Sequence, residues 1–133
     1  MLVVEDNPTD MFIMREVLER CGLNLRIASN GQEALLFLQN LERDEKSPCP
    51  ALVLLDLNLP QVAGIEVLRE LRRSRCSRTP VIIVTSSIAE ADRVAAQRLD
   101  ADAYFQKPKD LPEYMELAHV IKRILHMEGR DDL

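Results

Sequence analysis

The sequence has little of what marks secreted, membrane or nucleic-acid-binding proteins. Its three cysteines, Cys21, Cys49 and Cys76, are odd in number and widely spaced, so neither a disulfide framework nor a zinc site is expected. No apolar run approaches the roughly 18 residues of a membrane span, and no secretion signal is visible. A net charge of -5 disfavours binding to nucleic-acid phosphates. We therefore expect a cytoplasmic protein that binds neither membranes nor nucleic acid.

What the chain does contain is an ordinary globular composition. Its 133 residues are 47% hydrophobic and 29% charged, and they show no internal repeat or low-complexity tract. This length fits one domain with a substantial core and is too short for a second catalytic domain. We expect residues 1–133 to form a single domain, with only Gly129–Leu133 beyond the last helix.

Short β-branched or leucine-rich runs alternate with segments of helical period, which is typical of a parallel sheet covered by helices on both faces. The predicted strands are Leu2–Glu5, Leu25–Ala28, Leu52–Asp56, Val81–Thr85 and Ala103–Phe105. The runs LVLLD and VIIVT are apolar throughout, so both strands should be central ones that are covered on both faces. The predicted fold class is therefore α/β, with a doubly wound sheet of five parallel strands.

Helix starts are predicted where a capping side chain precedes an acidic residue by three positions, at Asn7–Asp10, Ser87–Glu90 and Asp110–Glu113. Two further helices are expected at about Gly31–Leu41 and Gly64–Ser74, with Gly22 and Gly129 as helix stops. The segment Glu42–Pro50 combines acids, bases and two prolines. It is typical of a solvated loop.

Polar residues follow four of the five predicted strands. They are Glu5 and Asp6 after the first strand, Asp56 at the third, Thr85 and Ser86 at the fourth, and Lys107 after the fifth. Ligands of doubly wound sheets gather beyond the carboxyl ends of the strands. Each of these residues alone has a structural explanation, such as a strand exit or a helix cap. Their joint placement indicates a functional site.

The acidic residues of this group predict a metal site. Carboxylates crowded at one sheet edge repel one another unless a cation neutralises them. Oxygen ligands favour Mg²⁺, which we expect to bind Asp6, Asp56 and the backbone carbonyl of Asn58. Glu5 would act through water or orient Asp6.

The same group fits phosphoryl transfer. The carboxylate of Asp56 can attack phosphorus and form an acyl phosphate, provided that cations offset the charge of the transferred group. Lys107 and the metal would supply that compensation. The hydroxyl of Thr85, with Ser86 beside it, would then donate a hydrogen bond to a phosphoryl oxygen and link modification to the loop after the fourth strand.

These residues and spacings resemble the response-regulator receiver domain of two-component signalling, over nearly the whole chain. The resemblance rests on VVEDN, LLDLNLP, Gly64 after Asp56, IVTSS and FQKP. It implies a flavodoxin-like fold of strand order 2-1-3-4-5 with five helices. It also implies magnesium-dependent transfer of a phosphoryl group from a sensor histidine kinase to Asp56. Slow self-dephosphorylation, tuned by Asn58 and Ser87, would follow. One departure is that the acidic pair reads Glu–Asp where many members have Asp–Asp.

The resemblance further assigns Tyr104 as an aromatic switch that follows the Thr85 hydroxyl. The loop before the third strand and the motifs TSS and DAYFQKP are similar to small stand-alone regulators of bacterial and cyanobacterial phytochrome kinases. Such a chain would have no output domain. It would signal by contact with a downstream protein.

The last predicted helix carries an apolar arc of roughly 200°, whereas a core-facing stripe needs about 100°. One hypothesis is that the edge formed by Leu117, Val120 and Ile124 binds a partner, such as a second copy of the chain. The alternative is that the wide arc reflects deep burial.

Two rival functions fit parts of the pattern. A phosphatase of the haloacid dehalogenase kind also uses an Asp, a Thr or Ser, a Lys and magnesium. Such enzymes typically place the nucleophile on the first strand and a second Asp two positions on, where this chain has Asn58. A degenerate receiver that serves only as a binding module usually lacks one of the key residues, and none is missing here. The sequence therefore favours a phosphoacceptor switch that is not an enzyme.

Overall fold

The structure is a computed structural model that describes residues 1–126 of the chain, so the predicted helix stop at Gly129 lies outside the described residues. Its strands are β1 (Leu2–Val4), β2 (Arg26–Ala28), β3 (Val53–Leu55), β4 (Val81–Thr85) and β5 (Ala103–Gln106). Its helices are α1 (Pro8–Arg20), α2 (Gly31–Arg43), α3 (Gly64–Arg73), α4 (Glu90–Arg98) and α5 (Leu111–His126). All strand pairs are parallel, and the order is β2-β1-β3-β4-β5. The predicted fold is confirmed.

Two apolar clusters cover the two faces of this sheet. On β4, Val81 and Ile83 belong to one cluster, and Ile82 and Val84 belong to the other. This division follows from the alternation of side chains along a strand. Helices α2, α3 and α4 contribute to the first cluster, and α1 and α5 to the second. Among the described helices, none is both long and apolar enough to cross a membrane.

Two of the three predicted helix caps are present. Asn7 and Asp110 each accept a hydrogen bond from the backbone N–H three residues on, at 3.0 and 3.1 Å. The third prediction is wrong, because α4 begins at Glu90 with Ala89 at its N-cap and no side-chain cap. Ser87 lies two residues before that cap, where its hydroxyl donates to Asp92 and accepts from the backbone N–H of Ala89.

The prediction that the cysteines form no disulfide is wrong for one pair. Cys49 and Cys76 are joined, with Cα atoms 5.6 Å apart, and Cys21 is free. The two bonded residues are 27 positions apart in sequence, so no short motif marks them. They meet because β3 and β4 are neighbours in the sheet and each cysteine lies in the segment that leads into one of these strands.

Arg75 fixes the segment beside this disulfide. Its guanidinium donates to the backbone carbonyl of Leu41 at 2.9 Å, to that of Asp44 at 3.0 Å, and to that of Ser47. The predicted loop is helical only through Arg43 and irregular after it. Arg75, which lies between α3 and β4, therefore anchors this segment, and the segment is also exposed to solvent.

The α5 residue Leu117 is not available to a partner, contrary to the interface hypothesis. It is 0% exposed, within the cluster that joins α5 to α1 and the sheet. Val120 and Ile124 are partly buried at the margin of the same cluster. Because α5 packs against both α1 and the sheet, much of its wide apolar arc covers these two neighbours.

Candidate functional site

The carboxyl ends of β1, β3 and β4 and the segment after β5 surround one open cleft of about 370 Å³. It is lined by Glu5, Asp6, Asn7, Pro8, Asp10, Asp56, Asn58, Ser86 and Lys107. A larger cleft of about 490 Å³ lies between α2 and α3, away from this group of acids. Chemistry therefore locates the site better than size does. Of the predicted strand-end residues, all but Thr85 line this cleft, and the buried Thr85 contacts it through Asn58.

Three carboxylates in this cleft could hold a metal ion. One ligand oxygen from each of Glu5, Asp6 and Asp56 lies within 4.8 Å of the others. Glu5 and Asp56 are buried, whereas Asp6 is exposed. Glu5 Oε1 is buried and accepts no hydrogen bond within the described part of the chain, although Lys107 Nζ lies 2.9 Å away. A buried carboxylate oxygen with spare acceptor capacity beside two further acids fits a hard cation.

Both carboxylate oxygens of Asp56 are held in place. Oδ1 accepts from the backbone N–H of Asn58 at 2.9 Å, and Oδ2 accepts from Lys107 Nζ at 2.8 Å. The side chain is 5% exposed, and it faces the open cleft. An oriented, ionisable carboxylate beside a cation can serve as a nucleophile toward phosphorus.

Gly64 explains how α3 begins so close to Asp56. A Cβ at this glycine would lie 2.2 Å from the backbone oxygen of Asp56 and 2.6 Å from Cα of Leu57. These atoms belong to the backbone and cannot move aside cheaply. The backbone N–H of Gly64 also donates to the carbonyl of Leu57 at 3.1 Å. Only glycine allows the helix to approach this loop so closely.

Among the described residues that line the cleft, Lys107 is the cation. Its ammonium donates to Asp10 Oδ2 and Asp56 Oδ2, each at 2.8 Å, and lies 2.9 Å from Glu5 Oε1. Burial alone would lower the pKa of this lysine, but the hydrogen bonds to Asp10 and Asp56 and the nearby Glu5 raise it above the usual value. The residue therefore stays charged at any physiological pH.

Glu5 differs from an ordinary glutamate. Burial raises the pKa of its carboxyl to about 7, and Asp56 adds to the rise while the ammonium of Lys107 opposes it. One cation thus faces several acids at a single sheet edge. The remaining negative charge favours a divalent cation.

Thr85, Ser87 and Tyr104 form a chain of contacts that leads away from the cleft. Thr85 Oγ1 is fully buried and accepts from Asn58 Nδ2 at 3.4 Å and from the backbone N–H of Ser87 at 3.3 Å. The hydroxyl of Tyr104 donates to the backbone carbonyl of Ser87 at 3.2 Å, and the guanidinium of Arg93 lies 4.5 Å from its ring centroid. The loop after β4 therefore connects the cleft to β5.

The interpretation of the sequence missed two residues at the site. Asp10 is predicted only as the acid of a helix start, and Tyr114, in the last predicted helix, has no predicted role at the site. Tyr114 is buried, and its hydroxyl donates to Asp10 Oδ1 at 3.1 Å. Burial and the negative charge of Asp10 both raise the pKa of this hydroxyl. The available signal was the position of Asp10 in the first turn of α1, directly after the acidic residues that follow β1.

Comparison with known proteins identifies the family. A model of the response regulator receiver domain matches residues 1–119. The chain belongs to this family. It is 36% identical over 124 residues to the response regulator Rcp1 of Synechocystis, covering 91% of this chain and 84% of Rcp1. It is 33% identical over 116 residues to the polar-differentiation response regulator DivK of Brucella anthropi, covering 86% and 89%.

Solved structures of receiver proteins have the same fold. The manganese-bound form of Rcp1 matches with a TM-score of 0.78 at 36% identity, over 91% of this chain and 89% of that one. The phosphorylated cyanobacterial phytochrome response regulator RcpA matches with a TM-score of 0.81 at 28% identity, over 96% and 94%. The resemblance to stand-alone phytochrome response regulators is therefore confirmed.

Proposed function

We propose that this receiver domain accepts a phosphoryl group on Asp56, in a magnesium-dependent step, from a phosphohistidine of a sensor histidine kinase. The observation that carries the proposal is the contact between the Asp56 carboxylate and the Lys107 ammonium, in a cleft that Glu5 and Asp6 make acidic. The phosphorylated form of RcpA and the family match support the same reaction.

In the transfer step, a carboxylate oxygen of Asp56 attacks phosphorus and forms a P–O bond. The P–N bond to the donor imidazole breaks, and its electron pair leaves with the ring nitrogen, which then takes up a proton. Lys107 already donates to Asp56, so its ammonium can follow the negative charge onto the phosphoryl oxygens.

Magnesium fits the donor set of the cleft. Asp6, Asp56 and the backbone carbonyl of Asn58 would hold it, and the buried Oε1 of Glu5 supplies further acceptor capacity. When bound, the ion offsets the charge of the transferred group. Manganese in Rcp1 and magnesium in a receiver domain of Pseudomonas aeruginosa support a divalent cation at this kind of site.

The response to phosphorylation would run through the fourth strand. Thr85 Oγ1 accepts two hydrogen bonds in this structure, which leaves its own hydrogen for a phosphoryl oxygen, with Ser86 at the cleft wall. Movement of Thr85 would disturb the hydrogen bond that Thr85 Oγ1 accepts from the backbone N–H of Ser87. Ser87 in turn carries the carbonyl bound by Tyr104. Tyr104 would therefore respond to the change at β5.

The domain acts as a regulatory switch with slow self-dephosphorylation and not as a turnover enzyme. Asn58 is exposed at the cleft and Ser87 is partly exposed near it, so both can influence the approach of water to the acyl phosphate. Asn58 also stands where an aspartate-nucleophile phosphatase has its acid/base. Hydrolysis without that group should be slow.

The partners follow from this reaction. The kinase is proposed to be of the phytochrome type, because the cyanobacterial phytochrome response regulator RcpA matches 96% of this chain with a TM-score of 0.81. The exchange would take place in the cytoplasm, and the signal would pass by protein contact. We also propose a homodimer whose contact includes the partly exposed Val120 and Ile124 and excludes the buried Leu117.

Intact mass measurement after incubation with acetyl phosphate and Mg²⁺ tests the proposal. We expect a gain of one phosphate in the wild type and none in Asp56→Asn. The matched control is Asp110→Asn, which makes the same change at a helix cap where asparagine also caps well. A gain that persists in Asp56→Asn would overturn the assignment. Continuous turnover of a phosphomonoester would instead favour the phosphatase.

A further inference from the structure

Asp10 connects the cleft to the buried side of α5. Its Oδ2 accepts from Lys107 Nζ at 2.8 Å, and its Oδ1 accepts from the Tyr114 hydroxyl at 3.1 Å. Each carboxylate oxygen of Asp10 is therefore bound by a residue from the C-terminal part of the domain. Tyr114 is 2% exposed, so its hydroxyl depends on this protein acceptor.

The contact with Asp10 affects the position of the Lys107 ammonium, because this ammonium is shared among three carboxylates. An ammonium has three N–H donors, and here Asp10 and Asp56 each accept one while Glu5 lies 2.9 Å away. The donor that faces Asp56 is the one that must turn to an arriving phosphoryl group. Asp10 is outside the cluster of carboxylates that could bind a metal. It can therefore keep its hold on the ammonium throughout the transfer.

We propose that Asp10 is a positioning residue: it holds the Lys107 ammonium beside Asp56, and the Tyr114 hydroxyl fixes the Asp10 carboxylate in the orientation that does so. This inference rests on the proposed phosphotransfer. It also gives α5 a connection to the cleft that is separate from the chain through Thr85, Ser87 and Tyr104. Two hydrogen bonds, from Tyr114 to Asp10 and from Lys107 to Asp10, make up the connection.

A purely helical role for Asp10 does not account for these contacts. An acid in the first turn of a helix interacts well with the helix dipole, whatever its orientation. The N-cap function here belongs to Asn7, which accepts from the backbone N–H of Asp10. The side chain of Asp10 is only 23% exposed, because it turns inward to Lys107 and Tyr114.

Phosphorylation kinetics with acetyl phosphate distinguish positioning from stability alone. In Tyr114→Phe we expect the half-saturating acetyl phosphate concentration to rise about fivefold, as for one lost hydrogen bond. Its maximal rate and half-saturating Mg²⁺ concentration should stay within about twofold. Asp10→Asn should raise the same concentration about tenfold or more, because it loses a charge-assisted bond. Glu16→Gln, an exposed acid on the same helix, is the matched control and should change nothing.

A lower melting temperature in Tyr114→Phe with unchanged kinetic constants would overturn the proposal, since it would show a structural role only. An equal effect in Glu16→Gln would also overturn it, because general electrostatics would then suffice. An unphosphorylated wild type would instead be a failure of the proposed function. A second measurement covers that case, because it needs no phosphoryl transfer.

Tyrosine emission provides this second measurement. The chain has two tyrosines and no tryptophan, so Tyr114 is the sole emitter in a Tyr104→Phe background. A carboxylate that accepts from a tyrosine hydroxyl quenches its fluorescence. We expect Asp10→Asn to raise the emission of Tyr114 about twofold. Lys107→Met should also change this emission, because Asp10 then loses its hydrogen bond from Lys107 and keeps only the one from Tyr114. Emission that is insensitive to either substitution would refute the connection.

Discussion

Reduction of the Cys49–Cys76 disulfide should destabilise the domain strongly. The bond joins residues 27 positions apart and so closes a loop of that order in the unfolded chain. The chain-entropy relation gives about 3.5 kcal/mol for such a loop. A domain of 133 residues has a melting entropy of about 0.28 kcal/mol per kelvin, so the melting temperature should fall by about 12 °C.

The physical reason lies in the unfolded state. The bond limits the conformations of the unfolded chain, whereas the folded segment before β3 is also held by the hydrogen bonds of Arg75. Reduction should therefore lower stability without displacing that segment. The fold and the acidic cleft should survive, because neither cysteine lies in a strand, in a helix or at the cleft.

Calorimetry of oxidised wild type, with and without dithiothreitol, measures the effect without deleting atoms. Cys49→Ser should melt like the reduced wild type, and Cys21→Ser is the control because Cys21 is the free cysteine. Melting temperatures that agree within about 3 °C before and after reduction would refute the reasoning. Three titratable thiols in the native, unreduced protein would show that the bond is not formed.

Three further predictions concern the cleft. Gly64→Ala should cost about 3 kcal/mol of unfolding free energy in urea titrations, because its Cβ meets the backbone of Asp56; a cost below about 1 kcal/mol would contradict the close approach. Lys107→Met should cost about 3 kcal/mol without metal, because it leaves Glu5, Asp10 and Asp56 without their cation, and Mg²⁺ should recover more stability in this variant than in the wild type. Mg²⁺ affinity, measured by calorimetry, should rise as pH increases through about 7, because the ion displaces the proton of Glu5, and Glu5→Gln should abolish this dependence.

The stability of the metal-free protein should show the opposite trend with pH. The raised pKa of Glu5 means that the folded chain holds this proton more tightly than the unfolded chain does. Stability should therefore fall as pH rises from about 4.3, the ordinary value for glutamate, to about 7. A stability that rises over this interval in the wild type, but not in Glu5→Gln, would contradict the assignment.

The sheet and the strand ends were predictable because each depends on local sequence. The apolar runs of β3 and β4 require burial on both faces, and this alone places them inside the sheet. The carboxyl ends of all strands in a parallel sheet lie at one edge, so Asp56 after β3 and Lys107 after β5 come to the same edge although β4 lies between these strands. Their mutual hydrogen bond is a finding of the structure, because the topology predicts the shared edge and not the distance between the two side chains.

The remaining features depend on contacts between distant segments. Cys49 and Cys76 lie in the approaches to two neighbouring strands, and their distance cannot be read from their spacing. Leu117 looks like an interface residue on a helical projection, because that projection does not show that α5 has two neighbours. Ser87 has the spacing of a cap, but its hydroxyl binds Asp92 instead. Local patterns list what a side chain can do, and the packing selects among these possibilities.

The charges of the cleft link phosphorylation of Asp56 to β5 and α5. A phosphoryl group adds about -1.5 to -2 charge at neutral pH, in a cleft where one ammonium already serves three carboxylates. Lys107 must then share its donors with the new oxygens, and Thr85 must supply its hydroxyl. The contacts of Thr85 continue through Ser87 to Tyr104 on β5, whereas those of Lys107 continue through Asp10 to α5. The two routes end on opposite faces of the sheet, because Tyr104 packs against the cluster that α4 helps to form, whereas Tyr114 belongs to the cluster that α5 forms with α1.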